Sequence, residues 1–581
     1  MEVKINDKIV VGQAGQTILE LARSAGVKIP SLCQHPDLEA KANCRVCVVE
    51  IKGNDRLVTA CSTPIKEGME IATNSSRVKN ARRINLELLL AEHTEACPTC
   101  LRRFNCDLLI LGKQYKLKIK QFSERKGKRS TYCFAKAVEI DGSQCIDCQN
   151  CLTACARQGI NYLTMTGSGV EQEVKPFKDK QKACIYCGQC TNVCPVAAAQ
   201  EQSSWPQVER DLHNKNKIVV AQFAPAVRVS LGEEFGLPVG TNCEGKIYTA
   251  LKQLGFHYIF DVNFGADITT MTEAEELLKR LRNKKAILPM ITSCCPAWVA
   301  YAEFYHPELL PNLTTARSPQ LHTAGAIKTY WAKKNKIPAS KIVVVSIVPC
   351  TAKKYEASRP ELWFKGKPLV DYVLTTRELA FLIKKNNLDF KKLIESRGEA
   401  LFNEGSGAAA IYGASGGVME SALRSVTSFI NPQNNPLGKK RLEFKDVRGL
   451  QGFKEAIIDL GTRKLRVGVV SGISNFSRVL PKLKKYQYIE VMACPGGCLG
   501  GGGQPIPTTQ AIRQKRLAGM YNLDQSRSVR RAHENKAMIE YYEWVKCNHL
   551  EAQVLHTKFK RSAGSALQVK KSAKNSFFGL F

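Results

Sequence analysis

Twenty-three cysteines, most of them in groups separated by two residues, constrain this chain more than any other feature of its sequence. In a short secreted protein such a count indicates a disulfide framework. Here the chain runs to 581 residues and opens on strand-like alternation at Met1-Glu2-Val3-Lys4-Ile5, with no apolar secretory core and no twin-arginine pair. That combination points to thiolate ligation of metal, and the cytoplasm is the expected compartment. No run of eighteen apolar residues occurs, so no membrane span is expected. Lys and Arg number 85 against 52 Asp and Glu, a formal charge of +33. The charges are scattered without a nucleic-acid-binding signature, so nucleic acid is not the expected partner. Deprotonated cysteine ligands would lower the figure, and the remaining field favours an acidic electron carrier.

Residues 1–78 read as a small β-rich domain, with a hairpin through Lys4-Ile5-Asn6 and Ile9-Val10-Val11 and a helix from Thr17 to Ala25. The run Cys33-x10-Cys44-x2-Cys47-x13-Cys61 then supplies four thiolates, enough for a 2Fe-2S cluster or one zinc ion. In residues 79–118 a helix from Arg82 to His93 leads into His93-x3-Cys97-x2-Cys100-x5-Cys106. Three cysteines leave one iron of a 4Fe-4S cube in need of a nitrogen or water ligand. Residues 134–215 hold Cys145-x2-Cys148-x2-Cys151-x3-Cys155 and Cys184-x2-Cys187-x2-Cys190-x3-Cys194-Pro195. The insertion from Tyr162 to Gln181 reads as a hairpin or loop, and Cys133 as a structural thiol.

From residue 216 to 505 the pattern changes. Short β-branched runs at Ile218–Phe223, Ala286–Met290, Lys341–Ile347 and Leu465–Val470 alternate with helix-like segments such as Glu273–Arg282 and Arg377–Lys385, the signature of parallel-sheet α/β architecture. Three cysteine loops follow or flank these strands: Thr292-Ser293-Cys294-Cys295-Pro296, Pro349-Cys350-Thr351-Ala352-Lys353, and Cys494-Pro495-Gly496-Gly497-Cys498. Loops at strand C-terminal ends are where α/β chemistry is usually placed.

Together the three loops resemble the three signatures of the FeFe, or iron-only, hydrogenases, and the upstream modules resemble those of the larger, ferredoxin-linked members. The resemblance implies an α/β fold. A two-lobed parallel-sheet catalytic domain would hold an H-cluster, in which a 4Fe-4S cube shares a cysteine sulfur with a two-iron subsite bearing CO, cyanide and an amine dithiolate bridge. It implies a β-grasp 2Fe-2S domain on Cys33, Cys44, Cys47 and Cys61, and a 4Fe-4S module with one histidine and three cysteine ligands, His93, Cys97, Cys100 and Cys106. It implies a two-cluster ferredoxin-like domain with crossed ligation, one cube on Cys145, Cys148, Cys151 and Cys194, the other on Cys184, Cys187, Cys190 and Cys155. By motif position, Cys295, Cys350, Cys494 and Cys498 would hold the H-cluster cube, with Cys498 as the shared sulfur. Cys294 would be the free thiol beside the bridging amine, Lys353 a cyanide partner, and Pro225, Ala226, Ser293, Pro319, Gln320 and Met492 the surrounding pocket. Val348 stands where the commoner pattern has methionine, which implies a looser or differently hydrated pocket.

A proton route is expected from Cys294 to Glu273 and Glu276, which lie three apart on one helix face, with Thr314 supplying a hydroxyl where the family has serine and Arg280 holding Glu276 ionised. Residues 506–556 resemble the accessory small-subunit-like segment of larger members, and 557–581 read as a basic, solubilising tail. The implied partners are ferredoxin or flavodoxin, the maturation proteins that build the two-iron subsite, and NAD(P)-linked subunits as the second possibility. A complex I-like electron-transfer subunit, or a hydrogen-sensing or cluster-assembly protein of related fold, are the alternatives. The first leaves Cys294-Cys295, Cys350 and Cys494-x3-Cys498 unexplained.

Overall fold

The two strands Glu2–Ile5 and Lys8–Val11 pair as an antiparallel hairpin, and Thr17 caps the helix Ile18–Ser24 through a reciprocal capping box with Glu20. Ile18, Leu19, Leu21 and Ala22 on that helix bury against Val3, Ile5 and Ile71. The sheet is completed by Glu70–Ala72, parallel to the first strand, then by Val48–Ile51 and Val58–Thr59. The computed structural model describes residues 1–91, 93, 97–117, 122, 126, 129–179, 181–399, 401–430, 443–460, 463–562 and 567–571. Residue 118 at the edge of the second module, and Lys574 and Phe577–Phe581 of the basic tail, lie outside the described residues.

The helix leading to His93 spans Ser76–Ala91, beginning six residues before the expected start, and a second helix, Asp107–Gln114, packs beside it. In the ferredoxin-like domain the insertion is a hairpin of Leu163–Thr166 with Glu173–Pro176, and Cys133 is buried within the strand Ser130–Phe134. That strand pairs with Val138–Asp141 on one side and, on the other, with Leu567–Lys571 from the basic tail. The tail is therefore not wholly a solubilising appendage: Leu567–Lys571 forms an antiparallel strand. Backbone bonding along a sheet edge stabilises an extended segment even where Leu567 and Val569 stay largely exposed.

The catalytic region contains two four-stranded sheets. One is wholly parallel, in the order Tyr258–Asp261, Ile218–Phe223, Ile342–Val348, Tyr372–Thr375. The other runs Met290–Ile291, Tyr488–Met492, Lys464–Ser471, Phe453–Asp459. Its last strand is antiparallel, a departure from the all-parallel expectation. Only residues 460–463 separate it from its neighbour, too few for a parallel crossover. Near-continuous burial along Ile218–Phe223 and Ile342–Val348 fits strands covered on both faces. The later helices Gln510–Ser526 and Lys536–Cys547 pack onto this domain: Met520 and Leu523 join Ala226 and Leu499, while Met538, Tyr541 and Tyr542 join Phe264 and Ile327.

Candidate active site and cluster cavities

Parallel strands deliver their C-terminal ends to one edge, and the chemistry-bearing loops leave from those ends. Ala224-Pro225-Ala226 follows Ile218–Phe223, Cys294-Cys295 follows Met290–Ile291, Pro349-Cys350 follows Ile342–Val348, and Cys494 follows Tyr488–Met492. The loops enclose a cavity lined by Cys294, Cys295, Cys350, Cys494 and Cys498 together with Lys353 and Tyr412. Pro225, Ala226, Pro319, Gln320, Val348 and Met492 also line it. Ser293 does not; its hydroxyl donates to the Ala316 carbonyl at 2.9 Å.

Two further cavities sort the ferredoxin-like cysteines. One is lined by Cys145, Cys148, Cys151 and Cys194, the other by Cys155, Cys184, Cys187 and Cys190, so the last cysteine of each run stands with the other run. In the first domain the thiols of Cys33 and Cys44 are in hydrogen-bond contact, as are those of Cys47 and Cys61. Cys97, Cys100 and Cys106 are mutual electrostatic neighbours. Buried His93 places Nδ1 2.8 Å from the Gln144 carbonyl; if that nitrogen carries the proton, Nε2 keeps the free lone pair. Burial pushes the His93 pKa down, which favours neutral imidazole.

These residues fit iron-sulfur groups. Among the described residues no three His, Cys, Asp or Glu side chains are placed to hold a single metal ion. The thiols instead ring cavities, the arrangement a polynuclear centre needs, and thiolates are the ligands such centres take. Burial drives the pKa of Cys350 up to about 12 and those of Cys494 and Cys498 upward, a cost relieved when a metal replaces the proton. The backbone is shaped for close approach. A Cβ on Gly502 would stand 2.6 Å from the Cys187 carbonyl oxygen and from the Gly188 Cα, and Cys494 Sγ lies 3.8 Å from that same oxygen. The second ferredoxin-like cavity thus abuts the catalytic one.

Lys353 Nζ lies 3.0 Å from the Cys294 carbonyl and 2.9 Å from Glu356 Oε2. Burial pulls the Lys353 pKa down, but Glu356, with Cys350 and Cys294, more than offsets this and raises it, so it stays an ammonium. Glu356 also accepts from Ser318 at 2.8 Å and Gln320 at 2.6 Å, which fixes Gln320 against the cavity wall. Sequence reasoning missed Glu356, although its place three residues beyond Lys353 on one helix was a usable signal.

Behind Cys294 the expected acids separate into two environments. Glu273 is fully buried; burial lifts its pKa to about 8, and the Tyr488 hydroxyl donates to its Oε2 at 3.0 Å. Glu276 accepts from Thr314 at 2.9 Å, from the Thr315 amide and hydroxyl at 2.8 Å each, and from Arg280 Nε at 2.9 Å. Glu276, Thr314 and Arg280 therefore form one cluster, and Glu273 sits inward of it. Glu490, another acid the sequence did not single out, is buried with its pKa raised to about 7, and accepts the amides of Gly416 and Met419.

Thiol-walled cavities inside an α/β domain, fed by a line of further thiol cavities, define a redox enzyme working through iron-sulfur groups. Residues 217–502 match the family described as iron only hydrogenase large subunit, C-terminal domain, and 510–562 match iron hydrogenase small subunit. Upstream, residues 1–76 match a 2Fe-2S iron-sulfur cluster binding domain, 82–120 the NADH-ubiquinone oxidoreductase-G iron-sulfur binding region, and 144–198 a 4Fe-4S dicluster domain. The chain is 39% identical to the NADP-reducing hydrogenase subunit HndD of Solidesulfovibrio fructosivorans, over 96% of this chain and 98% of that one. It is 41% identical to iron hydrogenase 1 of Clostridium pasteurianum, over 94% and 97%. A solved variant of apo FeFe-hydrogenase HydA1 from Chlamydomonas reinhardtii superposes with a TM-score of 0.54 at 36% identity, covering 62% of this chain and 99% of that one. The chain belongs to the FeFe, or iron-only, hydrogenase family, and it interconverts H2 with protons and electrons through an H-cluster-type catalytic domain.

Proposed function

We propose that the chain carries one 2Fe-2S cluster, three accessory 4Fe-4S clusters and a complete H-cluster, and that it exchanges electrons with an acidic ferredoxin. The observation that carries this reading is the convergence of Cys295, Cys350, Cys494 and Cys498 on one buried cavity beside Cys294 and Lys353. When bound there, the H-cluster supplies the iron site at which H2 is formed or split. The four cysteines would hold its cube, and the Lys353 ammonium, pinned by Glu356, would stabilise anionic ligands through charge-assisted hydrogen bonding.

The Cys294 thiol would pass protons between the cavity and buried Glu273, whose pKa near neutrality suits both taking up and releasing one. Glu276, held by Thr314 and Arg280, would be the outer acid. Electrons would travel through the cavity of Cys155, Cys184, Cys187 and Cys190, which abuts the catalytic one, and then through the other modules. His93 would complete the ligand set of Cys97, Cys100 and Cys106 through Nε2. Net positive charge favours ferredoxin, with flavodoxin as a substitute carrier, and maturation proteins would build the two-iron subsite. A second reading, a catalytic subunit working with an NAD(P)-linked partner, is favoured by the likeness to an NADP-reducing hydrogenase subunit over nearly the whole chain.

The test is an infrared spectrum and iron analysis of matured protein. Bands of metal-bound CO and cyanide with about 20 iron atoms per chain are expected. Iron near 14 without those bands would remove the H-cluster and leave the relay.

A further inference from the structure

Two buried polar side-chain atoms on the wall of the catalytic cavity have no hydrogen-bond partner among the described residues: Gln320 Oε1 and the Tyr412 hydroxyl. Gln320 is otherwise engaged, since its Nε2 donates to Glu356 and to the Lys353 carbonyl. Tyr412 has no second polar atom to spend. It sits in the turn Ile411–Gly413, and its ring packs among Ala266, Cys294, Ala409, Val418 and Met492. A hydroxyl left unpaired in such surroundings is costly, and native structures rarely leave one so.

The neighbouring titratable groups are Glu273, Cys294, Tyr488 and Glu490; burial first, and then the proximity of these groups, pushes the phenol pKa up, so it keeps its proton. Tyr412 is therefore a donor. Of the other residues lining the cavity only Gln320 and Lys353 carry a side-chain oxygen or nitrogen, and neither is hydrogen-bonded to the Tyr412 hydroxyl. The acceptor must come from what the cavity holds.

We infer that the Tyr412 hydroxyl is a further hydrogen-bond donor to the two-iron group bound in this cavity, acting alongside the Lys353 ammonium. The inference rests on the H-cluster reading above and names a residue that touches the cofactor. Such a donor withdraws electron density from the bound group, and CO and cyanide stretching frequencies report that density directly.

The experiment compares infrared spectra of matured parent protein and matured Tyr412→Phe, with thermal denaturation of both proteins before maturation. Removal of the one oxygen is expected to shift at least one CO or cyanide band while leaving the unmatured protein no less stable, because an unpartnered hydroxyl is lost there. Incorporation of 3-fluorotyrosine at position 412, which strengthens the donor, is expected to shift the same band in the opposite direction and serves if Tyr412→Phe does not mature. Bands that coincide in the parent and in either replacement overturn the assignment. Absence of CO bands from the parent itself overturns the H-cluster reading, and this inference with it.

Discussion

Arg377 and Glu201 form a buried two-pronged ion pair across the junction of the ferredoxin-like and catalytic domains, with Nη2 2.5 Å from Oε2 and Nε 3.1 Å from Oε1. The same guanidinium donates to the carbonyls of Gly502 and Gln504 and to the side chains of Thr191 and Asn192. One side chain thereby joins the loop after Cys498 to the short helix Gln189–Asn192, which carries Cys190.

Arg377→Ala is expected to destabilise the protein by about 3–5 kcal/mol, since it strands the Glu201 carboxylate in the interior. Arg377→Lys should cost less, keeping the charge but losing the fork. Denaturation of the two variants checks the order, and hydrogen exchange should quicken at Gly500–Gln504. Equal stability of Arg377→Ala and the parent would refute the role.

Cys294→Ala is expected to preserve iron content and the infrared bands yet lose most turnover, whereas Cys294→Asp retains part of it. Hydrogen evolution with saturating artificial reductant is the measurement. Retention of more than roughly half the parental rate by the alanine variant would exclude the route through Cys294.

Glu273→Gln should slow turnover less than Cys294→Ala does, and Glu276→Gln less again, because solvent can bypass the outer acid. Stability moves the other way. An acid whose pKa rises from its ordinary range near 4.3 to about 8 on folding costs stability increasingly as pH climbs between those values. The neutral amide has no such cost, so Glu273→Gln should gain about 3–4 kcal/mol on the parent from pH 5 to pH 8. A melting-temperature difference that stays constant across that range would contradict the buried, titrating carboxyl.

With an acidic ferredoxin at carrier-limited concentration, the coupled rate should fall steeply as ionic strength rises, because opposite fields set the encounter rate. A flat salt response would reject ferredoxin steering and turn attention to a permanent partner subunit.

The cysteine runs were legible because the spacing within each, such as Cys184-x2-Cys187-x2-Cys190, is a local signal, whereas each cavity gathers thiols from separate runs or loops. Strand runs such as Ile342–Val348 were legible for the same reason. Arg377 was seen only as the start of a helical pattern, because Glu201 and Gly502 meet it across tertiary structure that no periodicity encodes. Tyr412 carried no signal either, being one aromatic in a glycine- and alanine-rich turn. Leu567 and Val569 alternate as a strand should, but the surrounding lysines masked that cue.

The strand Leu567–Lys571 also sets an order of events during synthesis. It closes the free side of Ser130–Phe134, whose one other strand neighbour, Val138–Asp141, is local, roughly 430 residues after that strand has left the ribosome. Through most of translation that edge of the ferredoxin-like sheet therefore presents a bare row of amides and carbonyls. Its ladder with Leu567–Lys571 forms only after the catalytic domain has been made, so the sheet of the electron relay is completed by a segment synthesised far downstream of it.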